Sequence, residues 1–113
     1  MNFLKAFFGD DTALSAQALK ARLDEGEQPF ILDVREDEEY RNGHIEGAKH
    51  IPLHKLPQEM EQLPTDTEII CVCFSGARSG MAVAQLQRAG LKAVNLHGGV
   101  MAWQRARYAL KKG

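Results

Sequence analysis

The sequence predicts an α/β fold, a parallel central sheet of about four to five strands with helices on both faces. Short stretches rich in β-branched and apolar residues recur at Phe30–Val34, Ile69–Val72 and Ala93–Leu96, each followed by a turn and a helical pattern. The run from Ile69 to Val72 does not alternate polar with apolar, the pattern of a strand covered on both faces, as parallel strands are. A chain of 113 residues, 44% hydrophobic and 26% charged, is sized for one globular domain with a single buried core. We divide it into an N-terminal extension (1–11), a core (12–106) and a tail (107–113).

Each element has its own signal. Thr12-Ala13-Leu14 can add an edge strand. Ser15 is placed to cap the helix "AQALKARLDEG", with Leu19 and Leu23 four residues apart on one face and Gly26 past its end. The strand Phe30–Val34 runs into the acidic "REDEEYRNG", where Glu36 to Glu39 sit at the start of a short helix. They are read as charges favoured by the helix dipole, with functional carboxylates the alternative. His50–Leu53 is a weaker strand, and its Pro52 points to a bulge or an edge position. After Ile69–Val72, a helix from about Ala77 lines up Ala82, Val83, Leu86 and Ala89 and stops at Gly90. The strand Ala93–Leu96 leads into a last helical pattern, "HGGVMAWQRARYAL".

Composition narrows the function. Fifteen acids against fourteen Lys and Arg leave a net charge of −1 without a basic patch, so nucleic acid is not an expected partner. The modest basic end made by Arg105, Arg107, Lys111 and Lys112 is read as a solvated tail. "MNFLKAFFGDD" is apolar but too short for a signal-peptide core, and no apolar run is long enough to cross a bilayer. The expectation is a cytoplasmic protein without membrane contact. "MNFLKAFF" is either a helix packed on the body or a contact for another chain, which exposure of Phe3, Phe7 and Phe8 would favour.

Ligand sites of open α/β sheets lie beyond the carboxyl ends of the strands. Cys73 follows one such end, Asp33 and Arg35 mark another, and His97-Gly98-Gly99 a third. Cys73 is their only strong nucleophile. From Cys73 to Arg78 the chain (Phe74, Ser75, Gly76, Ala77) has the makings of an anion cradle. Gly76 permits the tight curl, successive N–H groups point inward, and the helix start adds its positive dipole end. A thiol there is acidified, with Arg78 a nearby positive charge, and needs no histidine to activate it. Cys71 is assigned to the buried strand as a small apolar residue. A Cys71–Cys73 disulfide is strained, because two extended residues span roughly 6.4–6.8 Å, the upper limit for bridged Cα atoms. No metal is expected: there is no second cysteine pair, and Pro52 between His50 and His54 spoils a helical ligand pair.

Four stretches in order, "ILDVREDEEY", "GHIEGAKHIPL", "CFSGARS" and "AGLKAVNLHGGVMAW", give the chain a resemblance to the single-domain rhodaneses, the sulfurtransferase family, from about Ser15 to Trp103. The resemblance implies that the Cys73 thiolate takes a sulfane sulfur from thiosulfate or a persulfide. It then passes that sulfur to cyanide or a thiol, with a Cys73 persulfide between and no cofactor. Partners are then a small sulfur donor and acceptor, or a protein carrying a persulfide or thiol. It makes Phe74 to Arg78 the persulfide cradle and Asp33 and Arg35 its braces. His44 becomes a structural hydrogen-bonding residue, Gly98-Gly99 the tight turn into the last helix, and Trp103 a core residue. His97 stands evenly between pocket rim and bystander. Where thiosulfate-adapted members carry basic residues after the cysteine, this chain has Phe74 and Ser75, which argues for a persulfide at least as strongly as for thiosulfate. Two rivals are a non-catalytic partner-binding module and a phosphatase or arsenate reductase of related fold. The latter's Cys-x5-Arg loop matches neither the Cys-x4-Arg counted from Cys73 nor the Cys-x6-Arg counted from Cys71.

Overall fold

A computed structural model describes residues 13–113, so the readings of "MNFLKAFF" and of Thr12 lie outside the described residues. Five strands, β1 (Ala13–Leu14), β2 (Phe30–Asp33), β3 (Lys49–His50), β4 (Ile69–Val72) and β5 (Ala93–Leu96), form one sheet in the order β1-β5-β4-β2-β3. Every pairing is parallel. The helices are α1 (Ala16–Asp24), α2 (Asp37–Asn42), α3 (Leu56–Glu59), α4 (Ala77–Arg88) and α5 (Gly99–Arg105), with 3-10 turns at Leu53–Lys55 and Met60–Gln62 flanking α3. This is the fold class expected from the sequence.

The side-chain period of two sorts the central strand between two cores. Ile69, Cys71 and Cys73 face one side, packed with Leu56, Ala82, Val83 and Leu86 from α3 and α4. Ile70 and Val72 face the other, with Leu19 of α1 and Val100 and Trp103 of α5. All four residues of β4 are buried, which is why its sequence shows no alternation. Ser15 caps α1 as its position predicts, its hydroxyl accepting from the Ala18 N–H at 3.0 Å, a contact worth about 1 kcal/mol.

Four details differ from the sequence reading or add to it. The weaker strand, β3, is Lys49–His50 rather than His50–Leu53. The N–H groups of Ile51 and Leu53 still reach the carbonyls of Asp33 and Val34, but Pro52 between them has no N–H to continue the ladder. β3 does lie at a sheet edge, as Pro52 suggested. A turn-and-helix segment occupies 53–62, where the sequence offered no clear element. Ala89 is exposed, because α4 ends at Arg88 and the chain turns away from the core there. The basic residues Arg105, Arg107, Lys111 and Lys112 are all exposed, as a solvated end should be, but the backbone there is docked. His44 and Lys111 exchange backbone hydrogen bonds at 2.9 and 2.8 Å, Gly113 N–H donates to the Arg41 carbonyl, and Leu110 packs at Gly43.

Candidate active site

The loop between β4 and α4 is shaped by ties on its outside. The carbonyls of Cys73 and Phe74 accept at 2.9 Å from the N–H groups of Val100 and Met101, donors at the start of α5 that have no partner within their own helix. Gly99 makes this approach possible. A Cβ there would collide with the carbonyl oxygens of both Cys73 and Phe74. The Gly76 carbonyl accepts from Asn95 Nδ2 and from the Gly80 N–H, each at 3.0 Å. With its carbonyls drawn outward, and with Gly76 at φ 114°, the loop turns N–H groups inward.

They converge on Cys73. Its Sγ receives the Gly76 N–H at 3.0 Å and lies 3.2 Å from the Ser79 hydroxyl, and the N–H groups of Ser75 and Ser79 also face it. The residue is only 1% exposed, so these donors replace water around the sulfur. Burial pushes the thiol up. The Ser79 hydroxyl and the N–H groups of Ser79, Gly76 and Ser75 favour the thiolate more strongly, and the net shift is downward. Cys71, two residues earlier on the same face, has no such ring. Burial, and secondarily the neighbouring Cys73 charge, push its thiol up to about 12. The arrangement places one acidified thiol inside a ring of donors that suits a negative charge.

Not every residue named from the sequence touches that sulfur. Ser75 and Gly76 do so through their N–H groups, whereas Phe74, Ala77 and Arg78 form no hydrogen bond with it among the described residues. Phe74 is 45% exposed and makes an apolar rim. Arg78 is clamped by Glu39 through two contacts, Nη1 to Oε1 at 2.7 Å and Nη2 to Oε2 at 2.9 Å. That pairing holds the Glu39 carboxyl down at about 2. The positive charge expected near Cys73 is therefore paired with a carboxylate while it still interacts with the Cys73 charge, and one member of the acid run has a task at the loop as well as at its helix start. Asp33 and Arg35 are buried against each other, Arg35 Nη2 donating to Asp33 Oδ2 at 2.8 Å and to the Gly43 carbonyl at 2.7 Å. They pin the end of β2 to the segment after α2. His44 hydrogen-bonds the Tyr40 carbonyl through Nδ1 and stacks on the Tyr40 ring at 3.8 Å. Gly98 and Gly99 both have positive φ at the turn into α5, and Trp103 is buried with Nε1–H donating to the Ala109 carbonyl. His97 is exposed and contributes its backbone N–H to Leu14.

Two site residues, Ser79 and Asn95, escaped the sequence reading, and Glu39 entered it only as a member of the acid run. A signal existed for the first two. Ser79 is a polar residue on the buried side of an otherwise apolar helix face, and Asn95 is the one polar residue of β5.

The chain and its fold have counterparts among known proteins. The family model for the rhodanese-like domain matches residues 15–106, which take in the whole Cys73 loop. The chain belongs to the rhodanese-like domain family. A Bacillus subtilis protein, YtwF, named as a candidate sulfurtransferase, is 42% identical over 91 residues, covering 80% of this chain and 88% of that one. A sulfurtransferase of Allochromatium vinosum is 36% identical over 93 residues, 81% of this chain and 87% of its own length. Among solved structures, a rhodanese-like domain protein from Staphylococcus aureus superposes with a TM-score of 0.79 at 36% identity, covering 81% of this chain and 90% of its own. No helix among the described residues is long and apolar enough to cross a membrane.

Proposed function

We propose that the protein is a rhodanese-type sulfurtransferase working through a persulfide on Cys73. The observation that carries this reading is the ring of donors on Sγ, three N–H groups and one hydroxyl, around a buried cysteine at the carboxyl end of β4. Membership of a family whose relatives include proteins named as sulfurtransferases supports it.

In the first half-reaction the Cys73 thiolate attacks the outer sulfur of a donor R–S–S⁻. A bond forms between Sγ and that sulfur, the donor's S–S bond breaks, and its electron pair leaves with RS⁻. The negative charge then sits on the outer sulfur, where inward N–H groups of the loop stabilise it. In the second half-reaction a thiolate or cyanide attacks the outer sulfur, and the Sγ–S bond breaks to restore the Cys73 thiolate. Charge is conserved in both steps and no cofactor takes part.

The donor class follows from the surroundings. A doubly charged donor such as thiosulfate gains most from free cations, but Arg78 is paired with Glu39 and Arg35 with Asp33. Phe74 instead offers an apolar edge. These features favour a persulfide of a small thiol or of a protein. Intact mass after incubation with glutathione persulfide tests the reading. Wild type gains one sulfur atom, Cys73→Ser gains none, and glutathione persulfide loads faster than thiosulfate. No adduct with any sulfur donor contradicts the enzyme and favours a partner-binding module. Phosphatase turnover exceeding sulfur transfer would favour the other rival.

A further inference from the structure

Asn95 reaches the Cys73 site from the adjacent strand and grips it at two points. Its Nδ2 donates to the Gly76 carbonyl at 3.0 Å, and its Oδ1 lies 2.6 Å from Ser79 Oγ. The first contact fixes the orientation of the amide, because a carbonyl only accepts and must face the NH2 end. Oδ1 is therefore the end that meets Ser79.

Ser79 is completely buried, and its hydroxyl has one hydrogen for two neighbours, Asn95 Oδ1 at 2.6 Å and Cys73 Sγ at 3.2 Å. Both cannot receive it together. When Cys73 is a thiolate, the charged sulfur is the stronger acceptor. When Sγ is uncharged, Oδ1 is the better and nearer one, and a thiol hydrogen can then point at the free lone pair of Oγ.

We propose that Asn95 is a positioning residue for the Cys73 site, holding the Ser79 hydroxyl hydrogen whenever Sγ carries no charge and releasing it when the thiolate forms. Asn95 thus competes with the thiolate and limits how acidic Cys73 becomes. The same exchange runs through the sulfur-transfer cycle, a part that rests on the proposed function. Once Sγ is bonded to a second sulfur its charge has moved outward, and the hydroxyl turns back to Asn95. Without that acceptor the persulfide state would strand a buried hydroxyl, so Asn95 favours loading of the cysteine.

The test is the pH dependence of Cys73 alkylation by iodoacetamide, followed by mass, which needs no sulfur donor. Asn95→Leu keeps the branching of the side chain but removes the acceptor, and the Gly76 carbonyl retains the Gly80 N–H. The Cys73 pKa should fall by about half a unit to one unit, the size of the neutral Ser79–Asn95 hydrogen bond that thiolate formation otherwise gives up. In a Ser79→Ala background the same substitution should have no effect. Other titratable groups near the site, Cys71, Arg78 with Glu39, the Asp33–Arg35 pair and His97, are unchanged in every variant. Asn95→Asp, which holds the hydroxyl more strongly and adds a like charge, should raise the pKa and serves if the leucine variant does not fold. An unchanged or raised pKa in Asn95→Leu, an equal fall in the Ser79→Ala background, or a lowered pKa in Asn95→Asp overturns the proposal. A pKa shift as described in a protein that never takes up sulfur would leave Asn95's control of the thiol standing and remove the proposed function.

Discussion

Cys71 and Cys73 stand two residues apart, face the same core and are almost equally buried, at 0% and 1% exposure. Their acidities nevertheless diverge, Cys71 pushed up to about 12 and Cys73 shifted down. Burial therefore does not decide which thiol reacts. Cys71 lies within β4, where the backbone N–H groups are committed to the ladder with β2 and β5. Cys73 lies one residue past the strand, where the chain curls and its N–H groups become available to a side chain. A shift of two residues along the chain separates a thiol pushed up by burial from one drawn down by a ring of donors.

The largest expected contrast is in alkylation at neutral pH. Iodoacetamide should modify Cys73 about 100-fold faster than Cys71, and equal rates would break the comparison. Next comes the backbone of the loop. Gly99→Ala places a methyl group against the Cys73 and Phe74 carbonyls at a residue with φ 59°, so stability should fall by about 2–4 kcal/mol in denaturant unfolding. The Cys73 pKa should rise toward that of an ordinary cysteine. A stable variant with an unshifted thiol would show that the ties to α5 do not shape the donor ring.

Smaller effects sharpen the same contrast. Ser79→Ala removes one donor from the thiolate and should raise the Cys73 pKa by about one unit, leaving Cys71 unmoved. Glu39→Gln frees the Arg78 charge beside the loop, so kcat/KM with thiosulfate should rise about threefold while that with glutathione persulfide changes little. The pair also has a pH signature. The Glu39 carboxyl is held at about 2 when folded, below its ordinary value near 4.5, so its stabilisation is present above pH 4.5 and lost as the pH falls toward 2. Because both side chains are about one third exposed, the loss should be under about 1 kcal/mol relative to Glu39→Gln.

How far each feature could be read from the sequence depends on the range of the interactions behind it. The strands β2, β4 and β5 follow from local apolar runs, and the Ser15 cap and Gly26 from local chemistry. The loop from Cys73 to Arg78 was visible because a strand, a glycine and a helix start are consecutive there. The partners of that loop were not. Asn95 and Glu39 lie 19 residues from Gly76 and 39 from Arg78, and their meeting depends on the order in which the strands pair. The docking of the Lys111 backbone on His44 is likewise nonlocal, so nothing in the basic chain end itself shows that its backbone is held while its side chains stay solvated. β3 was misplaced for a local reason, since apolar character continues through Ile51 and Leu53 while the proline interrupts the hydrogen bonds.

Locating the transferred sulfur bears most directly on the account. After loading with glutathione persulfide and blocking of remaining thiols, fragment-ion mass spectrometry can separate Cys71 from Cys73 within one peptide. The added sulfur is predicted on Cys73 alone, with Cys71 recovered as the unmodified thiol. Sulfur on Cys71, or shared between the two, would contradict the claim that the donor ring selects the reactive cysteine.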